Sequence, residues 1–284
     1  GQVYLINPNG VLVGNGAQIN AAEFIASTLD ISDVDFLNGG DLLFSGDSTA
    51  NVTNLGSITS STGDVVLIAS TVTNKGTIDA PNGLVALGAG NEILLANEQN
   101  QKLIVRSAIN RTGETGVDNS GLIEAAEAAL VAAGGNIYDL AINQSGIIKA
   151  TGIENRDGRI LLTSDSGTIQ FSGHASAHNS DASGGQINIG GGFRGNDDSI
   201  ANATNTLVTD TATIDVSSSN GNAGQVIVWA NENTEFSGII NGIATGRHGN
   251  DGAFVEISGK DTLDFRGFID LNSESGSAGT LLLD

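Results

Sequence analysis

Apolar and small polar residues alternate along much of this chain with the two-residue period of a strand, not the longer period of a helix. The alternation recurs in a fixed frame. Val52-Thr53-Asn54-Leu55-Gly56-Ser57-Ile58 returns 20 positions later as Val72-Thr73-Asn74-Lys75-Gly76-Thr77-Ile78, and V-x-N-x-G-x-I comes again at Val117-Asp118-Asn119-Ser120-Gly121-Leu122-Ile123. A looser copy, with one extra residue, runs from Ala141 through Asn143 and Gly146 to Ile148. A motif at a period of about 20 residues is the signature of a stacked repeat. One turn of a parallel β-solenoid takes about that many residues, and each turn lies about 4.8 Å from the last.

Asn54 and Gly56, Asn74 and Gly76, and Asn119 and Gly121 are expected at the corner of each turn. Gly tolerates positive φ, and Asn is among the few other residues that visit it. Asn at one corner of successive turns is also placed to stack as an amide ladder. The expected fold is all-β: a right-handed parallel β-helix with short extra-helical strands and loops. A β-sandwich with Asn-Gly turns is the alternative, but it has no need of one heptapeptide at a fixed interval.

The pattern divides the chain. Val3-Tyr4-Leu5-Ile6 and Val11-Leu12-Val13 are apolar runs separated by Asn7-Pro8-Asn9-Gly10, a hairpin or corner signal. Ala17 to Asn20 and Phe24 to Ile31 continue as strands. Asp41–Phe44, Asp64–Ile68, Leu84–Leu87 and Glu92–Leu95 read as successive strands on one or two faces, covered on one side. Residues 98–118 break the rhythm and read as an excursion off the column, such as a hairpin lying on its side. The coil is expected to resume over 119–284. Glu124 to Leu130 has helix-forming composition, but Leu130-Val131-Ala132 takes the place of Leu84-Val85-Ala86, which favours strand.

A second theme follows: a Gly, one residue, then an apolar strand. It begins at Gly158, Gly185, Gly224, Gly252 and Gly279, with spacings of 27, 39, 28 and 27. The long interval predicts a loop insertion near 190–215, with Gly190 to Asp198 as its flexible protrusion. Long loops on a regular column are where solenoids carry binding.

Composition narrows the function. The chain has 284 residues, 39% apolar and 4% aromatic, with 40 Gly. A narrow column filled by Val, Ile, Leu and Ala suits that content. Net charge is −21 and the first 74 residues contain no Lys or Arg, which excludes nucleic acid and anionic membrane surfaces as partners. No apolar run reaches the ~18 residues of a membrane-spanning helix. There is no Cys, which suits a chain that crosses a pore unfolded. Gly1 to Tyr4 reads as the middle of a strand and Gly279 to Asp284 stops on one, so the sequence reads as a piece of something longer.

Candidate chemistry is sparse. Asp197-Asp198 is the best carboxylate pair for a glycosidase or lyase, and Arg247-His248-Gly249 the best basic cluster, but about two long turns separate them. His174 and His178 stand four apart on a strand pattern, without Cys or a third His nearby. Asp30, Asp33 and Asp35, or Asn196, Asp197 and Asp198, allow weak Ca²⁺ binding; no other cofactor is expected.

The run Gly1 to Val11, then Gly16-Ala17-Gln18-Ile19-Asn20 and Ala26-Ser27-Thr28-Leu29-Asp30-Ile31-Ser32, resembles the secretion domain of filamentous haemagglutinin-type exoproteins. These are adhesins of two-partner secretion systems in Gram-negative bacteria. The likeness is carried by N-P-N-G and A-S-T-L-D-I and continues to about Asn97. It implies a right-handed parallel β-helix, an outer-membrane transporter as partner, a secreted or cell-surface location, and adhesion to a host-cell, glycan or matrix receptor. It marks Asn7, Pro8, Asn9 and Gly10 as the secretion motif. It also implies that residues 1–97 form the secretion-domain-like region and that capping strands normally precede it. The expectation is a non-catalytic, monomeric adhesin fragment. A pectin-type β-helix hydrolase or lyase is the alternative.

Overall fold

A computed structural model describes residues 1–96, 103–105, 115–133, 140–152, 158–246 and 249–284. The chain winds as a parallel β-helix. Gln2–Ile6 pairs with Glu23–Ser27, which pairs with Val65–Ala69, and the same face continues through Arg159–Ser164, Gln186–Ile189, Gln225–Ala230, Phe254–Gly259 and Thr280–Leu283. A second face carries Ser57–Ser60, Ile147–Ala150, His174–Ser176, Thr213–Asp215, Ile239–Asn241 and Phe268–Asp270. Thr77–Ala89 and Leu122–Ala132 run through both faces. The third face is a sheet of nine described strands, from Val11–Val13 to Thr262–Phe265.

The repeated motif straddles the corner between the third and second faces. Asn51–Asn54 and Thr71–Asn74 are in parallel register, so Asn54 meets Asn74, and Asn74 meets Asn119. Val72 packs on Val52 and Val117, and Ile78 on Ile58 and Ile123, all fully buried in one continuous core. Burying each such side chain contributes about 1.5–3 kcal/mol.

The corner glycines serve a purpose other than the expected one. Gly56, Gly76 and Gly121 do not have positive φ. A Cβ on Gly76 would drive into the Gly56 carbonyl, and one on Gly121 into that of Gly76. Close approach of backbones fixes these glycines, not left-handed geometry.

Two registers differ from the sequence reading. Ile142 stands on Val117 and Gln144 on Asn119, so the fourth copy has no extra residue and its corner amide is Gln144, not Asn143. Leu130 stands on Leu87, not Leu84, because the inward position is a column of Leu67, Leu87, Leu130 and Leu162. In the second theme Ala253, not Gly252, holds the column position, since Phe254 pairs with Gln225.

The first face is covered on its outside, so its apolar runs are buried on both sides rather than one. Asp30–Ile31, Leu42–Ser45, Glu92–Leu95 and Leu103–Val105 form an antiparallel four-stranded sheet outside the coil. Asp41–Phe44 and Glu92–Leu95 are therefore not rungs. Phe44 and Ile93 are buried against Val66, Ile68 and Ala86 in a second core. Of the excursion expected over 98–118, Leu103–Val105 pairs with Glu92–Leu95 and Val117–Asn119 is already a rung; 98–102 and 106–114 lie outside the described residues.

Among the described residues one short α-helix, Asp33–Asn38, interrupts the strands. The Ser32 hydroxyl accepts from Asp35 N–H at 3.0 Å, and Asp33 and Asp35 lie in the first turn where the helix dipole favours them. That local capping accounts for the place of Asp33 and Asp35 at the start of the helix.

Candidate functional site

Three places carry residues singled out by the sequence. The first is the Asn7–Gly10 turn. Gln2–Ile6 pairs on the first face and Val11–Val13 on the third, so the turn is a corner of the coil and not a hairpin. Asn9 N–H donates to Asn7 Oδ1 at 3.1 Å, and Gly10 N–H to the Asn7 carbonyl at 3.0 Å. Gly10 has φ +108, which only glycine adopts freely. Asn7 N–H donates to the Ser27 carbonyl at 2.9 Å. The segment 46–50 lies across the corner: the Ser48 hydroxyl donates to the Pro8 carbonyl at 2.6 Å. Pro8 and Asn9 stay exposed.

The second is the buried amide column. Asn54 Nδ2 donates to Asn74 Oδ1 at 2.8 Å, Asn74 Nδ2 to Asn119 Oδ1 at 2.7 Å, and Asn119 Nδ2 to Gln144 Oε1 at 2.7 Å. All four side chains are fully buried. Asn54 Oδ1 also accepts from Gly56 N–H at 3.1 Å, so the first amide of the column ties its own corner. The column does not end the motif. Phe171, Val208, Phe236 and Phe265 continue the same inward position, and the Phe236 and Phe265 rings stack at 5.8 Å. Sequence reading missed this continuation because the amide is replaced by Val208 or by rings, although Phe236-Ser237-Gly238 and Phe265-Arg266-Gly267 keep the corner glycine.

The third is the insertion. It spans 190–204, since Asn205–Val208 is again a rung. It is not a free protrusion. Gly190, Gly191 and Gly192 are buried, and a Cβ on Gly190, Gly191 or Gly195 would collide with Trp229. Asn202 Nδ2 donates to the Gly195 carbonyl at 3.0 Å. Arg194 N–H donates to both carboxylate oxygens of Glu256, at 3.2 and 3.0 Å. Glu256 is fully buried, and burial raises its pKa, opposed by the hydrogen bonds from Arg194 and the Ser258 hydroxyl. Arg194 itself has φ 55, the only positive φ at a non-glycine among the described residues.

The enzymatic candidates do not converge. Asp197 Oδ1 is engaged by the Ser199 N–H at 3.0 Å, and Asp197 and Asp198 are exposed. Arg247 and His248 lie outside the described residues. His174 Nδ1 is 2.5 Å from Thr213 Oγ1 in the neighbouring rung. Among the described residues no three His, Asp or Glu side chains are grouped to hold a metal ion.

The sequence matches the TPS (two-partner secretion) secretion domain over residues 1–177. The chain belongs to that family, whose members are exoproteins exported across the outer membrane of Gram-negative bacteria. It resembles the crystal structure of the HMW1 secretion domain from Haemophilus influenzae, with a TM-score of 0.71 and 26% identity, covering 100% of this chain and 80% of that one. It is also 30% identical over 175 residues to a heme/hemopexin-binding protein of Haemophilus influenzae. That match takes in 58% of this chain and only 19% of the relative.

Proposed function

We propose that this chain belongs to a surface adhesin, and that it engages an outer-membrane transporter and then folds outside the cell rung upon rung. Asn7, Pro8, Asn9 and Gly10 are the segment that the transporter recognises. The finished coil then holds a host-cell, glycan or matrix receptor as a monomer, without catalysis.

One observation carries the reading of export. Each rung takes its parallel partners from the rung before, as Thr71–Asn74 does from Asn51–Asn54. Among the described residues, each strand of the coil therefore pairs across one turn of chain, 20 residues for Val52 and Val72. A coil of this kind can grow at one end while the rest is still unfolded, as quasi-one-dimensional folds do. Folding outside then biases passage forward without ATP.

The test is a buried charge. Val65 is fully buried in the first face. Val65→Asp in the parent exoprotein, expressed with its transporter, is expected to slow appearance of the protein outside the cell. If the rungs become protease-sensitive while export proceeds at the wild-type rate, folding does not drive export. Asn7→Ala with Asn9→Ala is expected to reduce export without lowering the stability of the purified coil by more than about 1 kcal/mol.

A further inference from the structure

The outside of the first face has two covers. The four-stranded antiparallel sheet covers its early rungs, and the 190–204 insertion covers its later ones. A hollow of about 200 Å³ lies in the seam between them. Among the described residues, its apolar wall includes Leu103 from the outer sheet and Val131 and Leu161 from the coil. Its polar rim includes Glu127 and Arg159 from the coil and Asp198 from the insertion.

We infer that this seam is a binding site for the terminal hexose of an uncharged glycan. Size decides first. The hollow is smaller than the ~300–1,000 Å³ of pockets that enclose drug-sized ligands, so it takes one ring and not a peptide or a polycyclic group. Chemistry decides next. A sugar ring has an apolar C–H face and an edge of hydroxyls that both donate and accept. Leu161 and Val131 offer the first a surface; the guanidinium of Arg159 donates to the second, and the carboxylates of Glu127 and Asp198 accept from it. An acyl chain has no hydroxyls to meet that charged rim. The chain's net charge of −21 disfavours polyanionic glycans.

Rigidity decides last. Asp198 is on an irregular segment, but that segment is seated on Trp229 and held by Glu256 through Arg194 N–H. A ring entering the seam therefore meets a preformed rim and loses less to ordering. This site rests on the reading of the chain as an adhesin and gives it a ligand class.

The experiment uses the 284-residue chain. Saturation-transfer NMR with methyl glycosides of galactose, mannose and N-acetylglucosamine reports binding, with octanoate as the apolar rival. Transfer to at least one glycoside is expected, weakened at least tenfold by Leu161→Trp, which fills the hollow, and by Asp198→Ala, which removes one acceptor. Melting temperatures of both variants serve as the folding control, and Asp198→Asn provides a second, isosteric rim variant. Transfer to octanoate alone, or glycoside binding untouched by all three substitutions, overturns the site. Beads coated with the chain and applied to cultured epithelial cells separate the two readings. If they adhere while no glycoside binds, the adhesin reading stands and the site falls; if glycosides bind and the beads do not adhere, the reverse holds.

Discussion

Gln144 lies directly beside Phe171 in the next rung, and there the buried amide column stops. Asn54, Asn74 and Asn119 each donate to the next amide, but Gln144 Nε2 is buried with no hydrogen-bond partner among the described residues. The position in the column therefore sets the cost of losing an amide. Asn74→Ala strips Asn54 Nδ2 of its best acceptor and Asn119 Oδ1 of its donor, an expected loss of about 2–4 kcal/mol. Gln144→Leu orphans only Asn119 Nδ2 and removes a group that was already unpaired. It is expected to cost at least about 1 kcal/mol less. Urea unfolding of the two variants checks the order; equal losses would mean that the amides act singly and not as a column.

Glycines divide into two kinds that substitution tells apart. Gly16 has φ +77 with nothing within 4 Å of an added Cβ, so Gly16→Ala costs only the left-handed conformation, about 1–2 kcal/mol. Gly76 has an ordinary φ, but its Cβ would meet the Gly56 backbone. Gly76→Ala must push neighbouring rungs away from each other, and a loss of about 3 kcal/mol or more is expected. Thermal melts of the two variants decide the matter; a milder effect at Gly76 would return the corner to a conformational explanation.

Trp229 is the floor of the insertion. It is 8% exposed, and Gly191 and Gly195 of the insertion close upon its ring. Trp229→Ala is expected to cost about 3–5 kcal/mol and to release amide protection across 190–204, because the cavity has no other side chain to fill it. Hydrogen exchange that stays slow in the insertion of this variant would show that Glu256 and Asn202 hold it unaided.

The coil itself was legible because V-x-N-x-G-x-I recurs at the same corner although its spacing runs 20, 45 and 25 residues, and a stacked fold needs that corner in every turn. What lay outside the coil was not. Leu42-Leu43-Phe44 is an apolar run like those of the rungs, and only tertiary pairing with Glu92–Leu95 places it in the outer sheet. Register also defeated sequence alone. Asn143 and Gln144 are adjacent amides, and a slip of one residue exchanges inward for outward. In the fold Asn143 points out and donates to Asp118 Oδ1 at 2.8 Å, while Gln144 takes the inward place. Gly190-Gly191-Gly192 reads as flexible, yet Gly190 lets backbone close on the Trp229 carbonyl, Gly191 on the Trp229 ring and Gly192 on Asp197. In the candidate seam, Leu161, Arg159 and Asp198 are brought together by two covers whose meeting no local pattern announces.

Glu256 makes the insertion sensitive to pH, with a sign that follows from its burial. Its carboxylate is fully buried, and its pKa is raised mainly by loss of water. The charged groups that act on it are Arg194, which favours the carboxylate, and Asp284, which disfavours it; Arg194 N–H and the Ser258 hydroxyl donate to it. A pKa higher in the folded state means that protonation favours the folded form. The contribution is fully present below the ordinary glutamate range, about 4.3, and is lost as pH rises through the raised value. Glu256→Gln keeps the shape and cannot titrate. The stability of the wild type relative to this variant is therefore expected to fall as pH rises from the ordinary range upward, and then to level off. A stability difference that stays flat from about pH 4 to pH 7, or that rises with pH, would mean that the hydrogen bonds to the carboxylate outweigh its desolvation.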